Sequence, residues 1–477
     1  MFMKFLLIIP CALIIFLLVL SYNAVMIKKR ARKLTDEKIH LTEKEQLEYA
    51  QRLSEMIKCR TVSVKGSYDD TEFAKLRETM KELFPLIHER AEIMTFGDDC
   101  WIFKIEGKDK SRNVMLMSHH DVVAENGEWK RPAFGGEIID GVIHGRGTVD
   151  TKTSLFAEFQ ALEELLSEGF IPECNIYIGS SHNEEIFGDG MPLATEYFKQ
   201  QGIKFETVLD EGGGIIDPPV SLVKSKCAMV ATHEKGRRTL VCTAKQGTTQ
   251  AFTLNKKAPV SRMTKFIAEL ESKNILISRL HPEVRAMFEG LCPYMPFAAR
   301  LVCANLWCFG PIIVKVAPKL TAQAATMLGT TLTVTEIKGS SAEKSCTANI
   351  YLRFINTDDL EKDLEAIKRL AEKYGIEITE GGINEGYIPA DMKSKGFEYT
   401  SKCIGEIFPH IANSVYLLPA GTDARCFTEI CPCTLRFAPI EMNSQQFDSV
   451  HNTDENISVK AVGNAVVFYK HFIKNYR

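Results

Sequence analysis

Val114-Met-Leu-Met-Ser-His-His-Asp121, Gly145-Arg-Gly-Thr-Val-Asp150 and Ile176-Tyr-Ile-Gly-Ser-Ser-His-Asn-Glu-Glu185 are the stretches on which the fold turns. Each carries metal-seeking side chains at the exit of a predicted strand: His119-His120-Asp121, Asp150, and Glu184-Glu185. Open α/β sheets gather ligands at the carboxyl ends of their strands, so groups far apart in sequence converge there. Three acidic or imidazole clusters behind three strands predict a dinuclear metal site.

Taken one at a time, the clusters leave alternatives open. In His119-x-Asp121 the two side chains share one side of an extended segment, because strand residues alternate in direction. Asp121 is then placed to accept the second ring N–H of His119 and fix its tautomer. A histidine satisfied within a core has the same local sequence. His120 points the other way and reads as a packing residue. Asp150 follows a Gly-x-Gly turn and has the two oxygens needed to bridge two cations, yet turn aspartates are common. Adjacent carboxylates such as Glu184 and Glu185 repel unless a cation or proton lies between them, although a solvated acidic pair satisfies the same rule.

The chain has 477 residues, 45% hydrophobic and 25% charged, with a net charge of −3. That is ordinary globular composition with room for two or three domains. It lacks the clustered basic face of a nucleic-acid binder. Phe5 to Ile27 contains no charged residue, and 23 residues of helix reach about 34 Å, enough for a hydrocarbon core of roughly 30 Å. A single-pass membrane anchor is expected over 1–34, with a cleaved signal peptide as the rival reading. Lys28, Lys29, Arg30, Arg32 and Lys33 follow the span, which predicts a cytoplasmic body. Fourteen cysteines without regular spacing predict buried free thiols rather than a disulfide framework.

Helical spacing is expected over Thr35–Cys59 and Thr71–Ile87, followed by short strands to Asp150 and an amphipathic helix at Ser154–Glu168. Beyond Asp210-Glu211-Gly-Gly-Gly214 the pattern becomes β (239–244), α (260–273), β (331–337), β (348–354), α (358–374), β (376–379). That order predicts a ferredoxin-like α+β domain inserted at 229–382 into a catalytic domain made of 35–228 and 383–477. The apolar, partly helical segment 274–330 has no place derived from this pattern. The chain ends on a helix after Asn456, with His451 just before it.

Ser118-His-His-Asp-Val-Val, Gly127-Glu-Trp, Pro132-Ala-Phe, Gly145-Arg-Gly-Thr-Val-Asp-Thr-Lys152, His182-Asn-Glu-Glu185, Leu209-Asp-Glu-Gly-Gly213 and Gly421-Thr-Asp-Ala-Arg425 together resemble the aminoacylase and carboxypeptidase S family of dinuclear zinc peptidases. The segment with Ala304-Asn-Leu-Trp307 is most similar to the carboxypeptidase S branch. The resemblance implies an α/β mixed-sheet catalytic domain with an inserted ferredoxin-like lid. It implies two Zn²⁺ per chain, with Co²⁺ or Mn²⁺ as substitutes. One ion would be held by His119, Asp150 and Glu211, the other by Asp150, Glu185 and His451. Glu184 would be the general base, Asp121 would orient His119, and Arg425 would bind a substrate carboxylate. Asp210 competes with Glu211 for its role. The implied substrates are short peptides or N-acyl amino acids, and the lid offers a surface for homodimer formation.

The sequence departs from that family in its lid. Gln246-Gly-Thr-Thr249 has no histidine where Gly-His-Ser-Ser is usual. The usual Asn-Val-Ile-Pro is replaced around Lys344-Ser-Cys-Thr347, while Asn349 and Arg353 retain the following strand motif. Thr151 stands where an acidic residue is common. Loss of an oxyanion donor costs on the order of a hundredfold in rate, so the expectation is an activity that is low, altered in substrate, or served by another donor such as Lys245 or Thr248, with a catalytically silent, metal-containing peptide binder as the alternative.

Overall fold

The computed structural model describes residues 2–218, 222–245, 258–273, 275–319, 322–340, 344–384 and 388–477. Among them, a nine-stranded mixed sheet forms the larger body and a separate four-stranded sheet the smaller one. At the centre of the large sheet, Asp109–His119 runs parallel to Cys174–Ser181 on one side and Thr207–Asp210 on the other. Val114 faces both Ile176 and Thr207 in register, and Leu116 faces Leu209. Their central runs, Val114–Met117 and Ile176–Ile178, are apolar and buried because both faces of a parallel sheet are covered. Parallel pairing brings their carboxyl ends to a single edge of the sheet.

The helix Lys152–Ser167 covers one face and is buried along most of its length. Ser154–Glu168 was expected to be amphipathic; instead this helix lies between the sheet and the Glu43–Ile57 and Val459–Asn475 helices. Its Glu158 accepts a hydrogen bond from Ser118 Oγ at 2.9 Å, tying the helix to the strand that ends in His119.

Two helix expectations need correction. Thr35–Cys59 is helical only from Glu43, where Thr42 and Glu45 form a reciprocal capping box. Before it the chain lies along the body, with Arg32 donating to Pro409 O at 2.8 Å and the Thr35 N–H to the same carbonyl at 3.1 Å. Thr71–Ile87 is two helices, Asp70–Leu83 and Pro85–Arg90, because Pro85 has no N–H to continue the first.

The small sheet has the strand order Thr331–Ser340, Ser345–Phe354, Gly236–Lys245, Glu377–Asn384, antiparallel throughout. With the helices Pro259–Ser272 and Thr357–Lys373 this is the ferredoxin-like βαββαβ arrangement. It has its own core, including Leu240, Phe266, Ile350, Leu352 and Ile367. Its first strand starts at Gly236, whereas Cys227–Glu234 pairs with Ala412–Leu418 in the large sheet. The helices of 282–328 pack on the larger body: Val284, Met287 and Leu291 join its core, and Ser414 Oγ donates to Met287 O at 3.0 Å.

The helix Phe2–Arg30 contains one stretch, Ile9–Arg30, long and apolar enough to cross a membrane. All fourteen cysteines are unpaired, most of them buried.

Candidate metal centre

His119 is the last residue of its strand. Its Nε2 lies 2.9 Å from Asp150 Oδ1, and Nδ1 is 2.9 Å from the Asp121 backbone oxygen. The Asp121 carboxylate oxygen is farther, at 3.4 Å, so the main chain rather than the side chain of Asp121 takes the ring nitrogen. The carboxylate does something else: it accepts the N–H groups of Glu184 (3.1 Å) and Glu185 (3.2 Å) and the Ser63 hydroxyl (2.6 Å). Hydrogen bonds to a charged group contribute on the order of 1.5–3 kcal/mol each. Asp121 thereby locks the loop of the two glutamates onto the end of the histidine strand. His120 turns away and stacks on Trp101 at 3.9 Å.

Asp150 does not leave a strand of the large sheet. It sits in the loop between Val142–His144 and Lys152–Ser167, where Gly145 and Gly147 both adopt positive φ. The second Asp150 oxygen is 3.0 Å from His451 Nε2, and that nitrogen is 2.9 Å from Glu185 Oε2. Asp150 therefore stands between two imidazoles, one on each oxygen. His119, Asp150 and Glu185 offer ligand atoms all within 4.8 Å of one another.

Of the Asp210-Glu211 pair, Asp210 is spent on the backbone. Its oxygens accept the N–H groups of Glu211 (2.9 Å) and Ala424 (2.7 Å). Glu211 lines the cavity with Asp150, Glu184, Glu185 and His451. Arg425, expected to meet substrate, is almost wholly buried. It donates to Thr422 O at 2.6 Å, lies 3.6 Å from Glu184 Oε1, and stacks on Phe187 at 5.0 Å. Arg237 and Arg353 stack on the same ring at 4.8 and 5.9 Å. Lys245 is paired with Glu377 on the surface of the small domain at 2.6 Å. Gln246 to Thr249 lie outside the described residues.

Glu455 escaped the sequence reading. Wholly buried, it accepts the N–H groups of Gly147, Val149 and Asp150 and pairs with Arg146 at 2.7 Å. Its only sequence signal is its position four residues after His451.

The electrostatics call for cations. Burial pushes Glu184 well above the usual carboxylate range against the pull of His119. Burial, and then the charges of neighbouring carboxylates, raise Glu185 and Glu211. Burial alone would raise Asp150 too, but its contacts with His119 and His451 hold it low. Contacts with Asp150 and Glu185 push His451 up to about 10. Glu184 Oε1 and Glu185 Oε1 are buried without a hydrogen-bond partner. Two imidazoles among four carboxylates, with oxygens left unpaired, make the N/O donor set that divalent transition metals take.

The cavity beside these groups measures about 350 Å³, and its lining includes the apolar side chains of Ile216, Met229, Tyr416, Leu418, Ile440 and Met442.

A mixed α/β sheet with a ferredoxin-like insertion and imidazole and carboxylate groups at the strand ends defines a metal-dependent hydrolase. The comparisons agree. Residues 115–475 match the profile of peptidase family M20/M25/M40, and the chain belongs to that family as a hydrolytic metallopeptidase. It is 28% identical over 450 residues to the N-fatty-acyl-amino acid synthase/hydrolase PM20D1 of Xenopus tropicalis, covering 91% of this chain and 87% of the relative. It is 29% identical over 443 residues to a probable carboxypeptidase S-like 2 of Dictyostelium discoideum, covering 90% and 85%. The metallo-carboxypeptidase Sso-CP2 of Sulfolobus solfataricus superposes with a TM-score of 0.66 at 19% identity, covering 90% of this chain and 98% of that one.

Proposed function

We propose that this chain hydrolyses amide bonds next to a free carboxylate, in N-acyl amino acids and short peptides, using two zinc ions. His119, Asp150 and Glu211 would hold one ion and Asp150, Glu185 and His451 the other. The carrying observation is Asp150, whose two oxygens face imidazoles from opposite ends of the chain at 2.9 and 3.0 Å. Bound metals would polarise the substrate carbonyl and acidify a water.

Glu184 is the proton carrier. Its Oε1 lacks a hydrogen-bond partner and its raised pKa suits a group that takes a proton from water and returns it to the leaving amine. Asp121 fixes Glu184 through the backbone N–H. Arg425 is assigned to the substrate carboxylate, for which a guanidinium is matched in shape; it shares the Phe187 ring with Arg237 and Arg353. The apolar wall of the cavity accommodates an acyl chain or a large apolar side chain, and the names of the PM20D1 relatives favour the acyl reading. The N-terminal helix is assigned as a single membrane span with the body on the cytoplasmic side, and the small domain as a lid with an outer face suited to homodimer formation.

The deciding test is zinc analysis beside turnover of N-acyl amino acids and dipeptides. Two zinc ions per chain are expected, together with hydrolysis that falls at least a hundredfold in Glu184→Gln while the metal stays bound. Full metal content with no hydrolysis of any amide would make the chain a silent binder.

A further inference from the structure

The helices Phe297–Cys303 and Leu306–Val316 carry several exposed large apolar side chains. Trp307 is 57% exposed and Ile312 58%, with Phe297 and Val316 close behind. We propose that this bent pair is embedded in the hydrocarbon of the bilayer beside the N-terminal helix, so that the enzyme is held by a span and a re-entrant elbow together. The occupant of the surface is lipid. Three observations carry this.

The first is depth. The elbow packs along the N-terminal helix in a fixed order. Tyr294, just before it, lies under Lys28 at 5.9 Å; Asn305, at the bend, pairs with Asn23 at 2.8 Å; Trp307 meets Phe16 edge to face at 6.1 Å. Lys28, Lys29 and Arg30 end the apolar stretch and mark the headgroup level. From Lys28 back to Phe16 is three and a third turns, about 18 Å along the axis. Half a hydrocarbon core is about 15 Å. If the N-terminal helix spans, Trp307 is carried toward the bilayer midplane with it.

The second is the bend, which turns the chain by 98° between Cys303 and Leu306. A break in a helix exposes backbone carbonyls, and in hydrocarbon these must find partners within the protein. Asn305, wholly buried, supplies one such partner. Its amide donates to Leu301 O (2.7 Å) and to Leu20 O of the N-terminal helix (3.1 Å). Its oxygen accepts from Asn23 and from the Trp307 indole (3.2 Å). Both amide protons and both lone pairs are used by protein. Such closure is the condition for an asparagine between helices in lipid.

The third is composition. Leu306–Val316 reads Leu-Trp-Cys-Phe-Gly-Pro-Ile-Ile-Val-Lys-Val, with its one charge, Lys315, in the last turn. Arg300, in the shorter helix, donates to Met295 O next to Tyr294, at the Lys28 level. Arg300 therefore sits where a side chain reaches the headgroups.

Fluorescence depth measurement on the full chain in phosphatidylcholine vesicles tests this. Trp101 and Trp129 are the other two tryptophans, so the signal lost in Trp307→Phe belongs to Trp307. That signal should be quenched at least twofold more by lipids spin-labelled midway down the acyl chain than by aqueous iodide. In the Trp307→Phe background, Ile312→Trp should respond like Trp307, and Ile337→Trp, on the small domain, like a residue in water. These readouts hold even if one variant folds poorly. A chain that high salt strips from the vesicles removes the span and the elbow together. A chain that stays while Trp307 answers only to iodide refutes the elbow alone. Crosslinking of two copies through Trp307 would name a second chain as the occupant and refute it as well.

Discussion

The carboxylate of Glu455 accepts the backbone N–H of Asp150 at 3.0 Å, although 305 residues separate them. The same side chain takes the N–H groups of Gly147 and Val149 and neutralises the buried Arg146. Glu455 therefore fixes the loop that aims Asp150 at both imidazoles. Glu455→Gln keeps the shape, loses one acceptor oxygen and leaves Arg146 without a counter-charge. Metal affinity should fall about 10- to 100-fold, read by competition with a chelator. Urea unfolding of the metal-free protein should show a loss of about 3–5 kcal/mol.

Metal binding should be proton-linked with a sign set by His451. In the metal-free protein, contacts with Asp150 and Glu185 push its pKa up to about 10. A raised folded-state pKa stabilises the fold fully below the unfolded value of about 6.5 and loses that contribution as pH climbs through about 10. A metal needs the neutral ring, so binding expels the proton. Apparent affinity should rise roughly tenfold per pH unit for each proton displaced. Calorimetry in two buffers of different ionisation enthalpy would count those protons; a buffer-independent heat would contradict the assignment.

The sequence exposed those parts of the site that follow from local pattern. Val114–Met117 is apolar because a central parallel strand is covered on both faces, and its end places His119. The ferredoxin-like order could be read from a different local pattern, since its strands alternate buried and half-buried residues. What could not be read depends on contacts across hundreds of residues. Asp210 and Glu211 are equivalent on paper, and only Ala424, 214 residues on, reveals that Asp210 is occupied. Arg32 pulls 31–42 out of helix by binding carbonyls near residue 409. The helices of 282–328 owe their place to the N-terminal helix and to Ser414, which no periodicity encodes.

Gly213 offers a stability test of the strand-end geometry near Glu211. A Cβ there would lie 2.4 Å from Arg436 O and 2.5 Å from Met229 O, both backbone atoms on neighbouring strands. Neither strand can yield without shifting the sheet. Gly213→Ala should cost about 1–3 kcal/mol and lower the melting temperature. Gly202→Ala, with nothing within 4 Å but a positive φ, should cost about 1 kcal/mol from backbone strain alone. Equal losses in the two variants would mean that the close approach at Gly213 is relieved elsewhere.

The apolar wall makes the acyl reading testable by size. Ala420 is exposed at the cavity, beside Leu418 and Pro419. A tryptophan there reaches across the entrance while leaving His119, Asp150, Glu184 and Glu185 untouched. At about 350 Å³, the cavity is at the small end of ligand sites, so a bulky rim falls on long substrates first. Ala420→Trp should lower kcat/KM for long-chain N-acyl amino acids about tenfold or more, and for N-acetyl amino acids by less than about threefold. Tenfold corresponds to about 1.4 kcal/mol of lost transition-state binding, within what one or two displaced methylenes supply at about 0.8 kcal/mol each. Equal losses on both substrates would place the acyl chain outside this cavity and leave it to the amino-acid side chain.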